Sequence, residues 1–110
     1  MSNIYKIKDK QLDDFISFND TNKIILFYKQ NCMFCKGEIA DLDKLANIYK
    51  DNIDYAICDI TNARKFCINN NLFSFPTIQI YKNKEVIKQI VARKPIEELE
   101  KEIKSAYSLT

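Results

Sequence analysis

The sequence predicts an α/β fold, a central mixed sheet of about five strands flanked by about four helices in the order βαβαβαββα. The apolar run from Ile24 to Tyr28 has strand length, and the motif Cys32-Met33-Phe34-Cys35 follows it and opens an amphipathic stretch. Near the other end of the chain, two short strand patterns lie close enough to form a hairpin, and an amphipathic helix pattern follows them. Alternating strand and helix patterns are typical of a sheet that helices cover.

Length and composition set the broad class. The 110 residues fit one domain, 1–110, and a hydrophobic fraction of 46% is ample for one modest core. The net charge is +2, with basic and acidic residues interspersed, so nucleic-acid binding is not expected. No window of eighteen apolar residues occurs, and the first eight residues alternate instead of forming a signal-peptide core. We therefore expect a cytoplasmic protein that does not associate with membranes. A monomer is the default expectation, with dimers through Cys32 or the apolar Met33-Phe34 pair as the alternative.

The first half of the chain predicts strand, helix, strand and helix. Residues 3–8 alternate as a strand does, and Leu12, Phe15, Ile16 and Phe18 indicate a helix over 9–18. Residues 23–29 are almost continuously apolar, which indicates a central strand buried on both faces. The second helix begins at the cysteine motif, with apolar residues three and four positions apart on one face. These residues are Ile39, Leu42, Leu45, Ala46 and Tyr49.

The second half predicts a strand, a short helix, a hairpin and a final helix. The strand covers 53–60, and Thr61 or Asn62 is expected to cap the helix that ends near residue 71, with Phe66, Cys67 and Ala63 facing inward. Strands over 77–81 and 85–91 form the hairpin. Pro95 is the expected first residue of the last helix. Its apolar stripe is Ile96, Leu99, Ile103, Ala106 and Tyr107.

The position of Cys32 and Cys35 points to thiol–disulfide exchange. A helix N-terminus offers unpaired N–H groups and partial positive charge, both of which favour a thiolate. We expect Cys32 to be the more exposed thiol and the nucleophile, and Cys35 to lie beneath it and to close a disulfide with it. Lys36 is expected to modulate the local charge, if it is more than an ordinary solvated lysine. The structural alternative is a pair of packed or metal-bound cysteines.

Phe27-Tyr28 precedes the cysteine motif and Lys36 follows it, while Asp59 ends the third predicted strand. Phe75-Pro76-Thr77 then opens the hairpin. In this order and spacing, these features and the hairpin turn resemble the thioredoxin family over roughly residues 4–107. The resemblance implies the thioredoxin fold, a cis-proline at Pro76 facing the two cysteines, and a Phe75 backbone that pairs with an extended substrate segment. Met33 and Phe34 place apolar surface beside the nucleophile and are expected to contact substrate.

This sequence departs from the thioredoxin pattern at four places. Asn31 replaces the usual Trp, and Met33-Phe34 replaces the usual Gly-Pro between the cysteines, a dipeptide that tunes the redox potential. Leu26 occupies the position of the family's buried Asp, so the usual proton acceptor for the second cysteine is missing. The glycine usual in the loop before the last helix is replaced around Ala92. Redox poise and proton transfer are therefore expected to differ from those of a typical member.

Cys58 and Cys67 have another expected role. The spacing C-x₂-C, 22 residues, C-x₈-C does not match paired zinc knuckles, and Cys58 falls within a predicted strand, so no metal site is expected. Free cysteine is among the most buried residue types, which favours both as small core residues. A regulatory disulfide between them is the alternative.

The resemblance implies an enzyme that reduces protein disulfides without a bound cofactor, cycling between a dithiol and a Cys32–Cys35 disulfide. Its expected partners are disulfide-containing proteins and a thioredoxin reductase that draws on NADPH. One alternative is an isomerase, an oxidase or a glutaredoxin-like enzyme, although the glutaredoxin dipeptide and Gly-Gly site are absent. Another is a binding module that senses redox state without catalysis.

Overall fold

Five strands and four α-helices follow the predicted order in a computed structural model that describes residues 3–109. A single 3₁₀ turn, Asp9–Gln11, precedes the first helix. The strands are β1 (Ile4–Lys8), β2 (Asn22–Tyr28), β3 (Ile53–Asp59), β4 (Thr77–Lys82) and β5 (Glu85–Val91). The helices are α1 (Leu12–Ser17), α2 (Met33–Ile48), α3 (Arg64–Asn69) and α4 (Ile96–Ala106).

The strands form one mixed sheet in the order β1-β3-β2-β4-β5. β3 runs parallel to both β1 and β2, whereas β4 is antiparallel to β2 and β5 is antiparallel to β4. β2 lies in the middle, and its residues from Ile24 to Phe27 are fully buried, as the continuous apolar run predicts. Because β2 is central, the loop after Tyr28 leaves the middle of the sheet edge and carries Cys32 there.

Side chains alternate between two apolar layers, one on each face of the sheet. Ile24 and Leu26 pack on the face that α2 and α4 cover, together with Leu42 and Leu99. The next residues along β2 pack on the opposite face, against α1 and α3. That second layer contains Ile25, Phe27, Leu12, Phe15, Cys58 and Cys67.

The predicted first helix differs from the structure at both ends. Residues 9–11 form the 3₁₀ turn, and α1 ends at Ser17 with Phe18 as its extended C-cap. Phe18 is therefore 49% exposed, so its assignment to the apolar face was wrong. The helical period would place Phe18 on the same face as Phe15, but the helix ends one residue earlier and the backbone turns away.

The predicted N-terminus of α3 was also wrong, because Thr61 has other partners. Its backbone N–H donates to the Asp59 carboxylate at 2.9 Å, and its hydroxyl accepts a hydrogen bond from the Gln30 backbone at 2.9 Å. Ala63 is the N-cap instead, without a side-chain cap. In α4, Pro95 is the N-cap with extended backbone (ψ 152°), one residue before its predicted place.

The hairpin turn consists of Asn83 and Lys84, since β4 extends to Lys82. Both residues have positive φ, 54° and 67°, the conformation of a type I′ turn that suits the twist of two antiparallel strands. Glycine is the usual residue for the second position of such a turn, but Lys84 occupies it here. Within residues 3–109, no helix is both long and apolar enough to cross a membrane.

Candidate active site

Cys32 and Cys35 lie at the N-terminus of α2 and form a disulfide, with their Cα atoms 5.2 Å apart. Cys32 is the N-cap residue, and its Sγ accepts a hydrogen bond from the backbone N–H of Cys35 at 3.2 Å. A sulfur in this position receives both the free N–H group and the positive end of the helix dipole. The helix end therefore stabilises negative charge on Cys32.

The two sulfurs differ in exposure. Cys32 is partly exposed, whereas only 1% of Cys35 is accessible. Met33 and Phe34 lie between them and project into solvent, 82% and 63% exposed. A substrate can reach Cys32 and these two apolar side chains directly, but it can reach Cys35 only through Cys32.

The segment that precedes β4 faces the disulfide. The Phe75–Pro76 bond is cis, and the carbonyl oxygen of Phe75 lies 4.0 Å from the Sγ of Cys32. Pro76 is buried, and its carbonyl accepts a hydrogen bond from the Ala92 backbone at 2.9 Å. The structure thus brings Phe75 and Pro76 beside the cysteines and fixes them through the loop that precedes α4.

The strand beneath the motif carries no polar group at the position of the family's buried Asp. Leu26 is fully buried and is paired in register with Ile57 of β3 and Ile78 of β4. All three side chains belong to the same apolar layer. A proton leaving Cys35 therefore finds no acceptor on this part of the sheet.

Glu38 is a buried carboxylate that the sequence analysis did not single out. Its Oε1 accepts a hydrogen bond from the Lys94 backbone at 2.8 Å, while its Oε2 is buried without a hydrogen-bond partner. Burial raises the pKa of this carboxyl above its ordinary value, although the Lys94 hydrogen bond and Arg93 oppose the increase. The sequence did contain a signal, because Glu38 lies on the same helical face as Cys35 and Leu42.

Arg93 links α2 to the loop before α4. Its Nη1 lies 2.8 Å from the Asp41 carboxylate and 3.7 Å from that of Glu38. The guanidinium also packs over Gly37, where a Cβ would lie only 3.1 Å from the Arg93 Nη2. This ion-pair network holds the surface around Ala92, where the sequence lacks the family's usual glycine.

Cys58 and Cys67 are buried free thiols on the other face of the sheet. Burial raises the pKa of Cys58 to about 12 and also raises the pKa of Cys67. Burial therefore disfavours the thiolate form of both cysteines, which is the form that acts as a nucleophile. Among residues 3–109, no three His, Cys, Asp or Glu side chains are grouped to hold a metal ion.

Comparisons with known proteins agree with this geometry. The thioredoxin family profile matches residues 3–105. The chain is 27% identical over 67 residues to a thioredoxin of Acetoanaerobium sticklandii, a match covering 61% of this chain and 64% of that protein. It is 31% identical over 84 residues to human protein disulfide-isomerase A4, a match covering 74% of this chain but only 13% of that protein.

A solved structure bears out the fold. Thioredoxin f2 of Chlamydomonas reinhardtii superimposes with a TM-score of 0.86 at 16% identity, over 97% of this chain and 99% of that one. The predicted thioredoxin fold is therefore confirmed. With its profile match over most of its length, its five-stranded sheet and its cysteine pair at the start of α2, the chain belongs to the thioredoxin family.

Proposed function

We propose that this protein is a thiol–disulfide oxidoreductase that reduces disulfides in other proteins, with Cys32 as the nucleophile and Cys35 as the resolving thiol. The strongest support for this proposal is the arrangement of the two cysteines. The Cys32 sulfur is partly exposed at the N-terminus of a helix and is bonded to Cys35, which is buried directly beneath it. That arrangement suits attack by one thiol and closure by the other.

The cycle has two exchange steps. In the reduced protein, the Cys32 thiolate attacks one sulfur of a substrate disulfide, forms a Cys32–substrate disulfide and releases the other substrate sulfur as a thiolate. Cys35 then loses its proton, attacks the Cys32 sulfur and displaces the second substrate thiolate. Both released thiolates take up protons, and two electrons have passed from the protein to the substrate. Leu26 provides no acceptor for the Cys35 proton, so water in the opened site takes it.

The neighbouring residues have proposed binding roles. The Phe75 backbone, 4.0 Å from Cys32, pairs with an extended segment of the substrate, and Pro76 keeps that carbonyl in place. Met33 and Phe34 add exposed apolar surface next to Cys32 in the chain. Together these four residues hold a substrate disulfide within reach of Cys32.

The proposed electron source is NADPH, and the proposed cellular compartment is the cytoplasm. No bound cofactor is needed for the exchange, and a thioredoxin reductase that draws on NADPH returns the protein to its dithiol state. The proposed compartment is the cytoplasm, which keeps thiols reduced. Cys58 and Cys67 support this part, since both are free thiols in the structure.

Isomerase activity is the second candidate, because the chain also matches protein disulfide-isomerase A4. The reduction potential of the Cys32–Cys35 pair separates the two, since thioredoxins lie near about −270 mV and isomerases near roughly −180 mV. Equilibration in graded dithiothreitol or glutathione buffers, followed by thiol alkylation and mass measurement, gives the value. A potential near the lower figure supports a reductase, and one near the higher figure supports an isomerase.

Turnover tests the proposed roles of the cysteines. Reduction of insulin disulfides in the presence of dithiothreitol is measured for the native protein and for Cys32→Ser, Cys35→Ser and Cys67→Ala. We expect both active-site substitutions to reduce the rate to that of dithiothreitol alone and the Cys67 control to retain it. Undiminished turnover by Cys32→Ser would rule out the proposed mechanism.

A further inference from the structure

A groove of about 690 Å³ lies beside Phe75, on the α3 side of the disulfide. Phe75 connects it to the reacting sulfur, because this residue lines the groove and its carbonyl is the group 4.0 Å from Cys32. A substrate segment that continues past Phe75 therefore enters this groove. The lining residues that matter here are Lys29, Ile60, Arg64, Ile68, Phe73 and Phe75.

The charged side chains of the groove are all cationic. Lys29 and Arg64 line it, and no carboxylate does. A second cavity of about 370 Å³ lies against the disulfide itself, and its charged residues are Lys29 and Lys36, again without a carboxylate. Lys29, Arg64 and Lys36 thus supply all the charged side chains that line these two cavities.

Two carboxylates lie next to the groove but do not line it. Asp9 and Asp59 line a neighbouring cavity with Lys8, and that cavity shares Thr61 and Asn62 with the groove. The oxygens of Asp59 already accept hydrogen bonds from the Thr61 backbone at 2.9 Å and the Gln30 side chain at 3.2 Å. Lys29 and Arg64 are both exposed, and neither pairs with a carboxylate within residues 3–109, so both can pair with an incoming anion.

Apolar surface lies among these cations. Phe73 is 70% exposed, and Ile68 is also largely exposed, although burial would stabilise both side chains. The Lys29 Nζ lies 4.9 Å from the centre of the Phe75 ring, so one cation is held over an aromatic face in the groove. The groove presents fixed positive charge next to open apolar contacts.

We propose that this groove selects protein substrates in which the disulfide cysteine is flanked by a carboxylate and an apolar side chain. The proposal rests on the proposed function and specifies its substrate class. The carboxylate pairs with Lys29 or Arg64, and the apolar side chain covers Phe73 and Ile68. One exposed ion pair changes a rate or binding constant by a factor of about 1.5 to 5, so two such pairs give a preference of about 2- to 25-fold.

Two peptides of equal length test this preference. Each carries one intramolecular disulfide and one flanking Leu, and they differ only in having two Glu or two Lys residues beside the cysteine. The rate constant for their reduction by the fully reduced protein is measured under single-turnover conditions at low and high salt. We expect the acidic peptide to react about 2- to 25-fold faster at low salt. The difference should shrink at 1 M salt because of screening.

Substitutions of the groove cations test whether the groove causes the preference for the acidic peptide. The double variant Lys29→Gln/Arg64→Gln is expected to lose most of the preference, because only Lys36 remains of the three cations. Lys44→Gln/Lys50→Gln is the matched control, because it also removes two positive charges from exposed lysines. Lys44 lies about 18 Å along α2 from Cys32, and Lys50 lies beyond the C-terminus of that helix. This control is expected to keep the native preference.

The outcomes distinguish this proposal from the function on which it rests. Equal reduction of both peptides by the native protein overturns the groove proposal and leaves the reductase intact. An acidic preference of native size in Lys29→Gln/Arg64→Gln, or an equal loss of preference in Lys44→Gln/Lys50→Gln, also overturns it. Reduction of neither peptide, together with no insulin reduction, overturns the proposed function and the groove proposal with it.

Discussion

We expect Glu38→Gln to become more stable relative to the native protein as the pH rises. Glu38 is fully buried, one carboxylate oxygen has no partner, and its distance to the Arg93 Nη1 is 3.7 Å, longer than a hydrogen bond. The ionised carboxylate is therefore incompletely compensated. Glutamine has the same shape, keeps an oxygen for the Lys94 N–H and leaves the 2.8 Å pair between Arg93 and Asp41 in place.

The direction of the pH dependence of stability follows from the pKa of Glu38, which burial raises above its ordinary value. Below the unfolded pKa, near 4.5, both states are protonated and the group contributes no pH dependence. Between the unfolded and the folded pKa, only the folded state keeps the proton, so rising pH lowers the free energy of unfolding by up to about 1.4 kcal/mol per pH unit. Above the folded pKa, the loss is complete and constant.

Urea denaturation between pH 4 and pH 8 measures this effect as the difference between the free energies of unfolding of variant and native protein. We expect that difference to increase with pH above 4.5 and then to level off. Glu85→Gln is the matched control, because Glu85 is exposed at the start of β5. A difference for Glu38→Gln that is flat, or that decreases as the pH rises, would refute the reasoning.

Three further substitutions probe the backbone and one buried hydroxyl. Lys84→Gly is expected to raise the free energy of unfolding by about 0.5 to 1 kcal/mol, since Lys84 has a φ of 67° in the hairpin turn, and a lower value in urea titration would contradict this. Ala92 has a φ of 69°, so Ala92→Gly is also expected to raise the free energy of unfolding by about 0.5 to 1 kcal/mol. An unchanged or lower thermal midpoint would contradict this expectation. Tyr107→Phe is expected to cost about 1 kcal/mol, because the hydroxyl reaches the carbonyls of Lys23 at 3.1 Å and Tyr81 at 2.6 Å; equal stability would show that neither contact matters.

Hydrophobic periodicity predicted the strands and helices whose buried side chains recur at regular intervals along the chain. β2 is buried on both faces and is continuously apolar, and α2 covers the sheet with residues three and four positions apart, so both patterns are unambiguous. Capping is less predictable from sequence. Thr61 is a good N-cap residue, but Asp59 and Gln30 bind it, and such competition depends on where neighbouring loops meet.

The candidate site was predictable to different degrees. The exposure of Cys32 and the burial of Cys35 follow from their places in the first turn of a helix, whereas the position of Phe75 opposite Cys32 came only from the family resemblance. Local patterns do not specify a contact between residues 43 positions apart. Glu38 was missed for the same reason, because its partner Lys94 lies 56 positions away.

The most direct test of the central claim is detection of the mixed disulfide on Cys32. Reduced Cys35→Ser protein is mixed with a peptide containing one disulfide, and the intact mass is measured before and after dithiothreitol. We predict a one-to-one covalent adduct, mapped to Cys32 by peptide mass analysis and released by the reductant, while Cys32→Ser forms none under the same conditions. An adduct that forms on Cys32→Ser, or no adduct on Cys35→Ser, would contradict the assignment of Cys32 as the nucleophile.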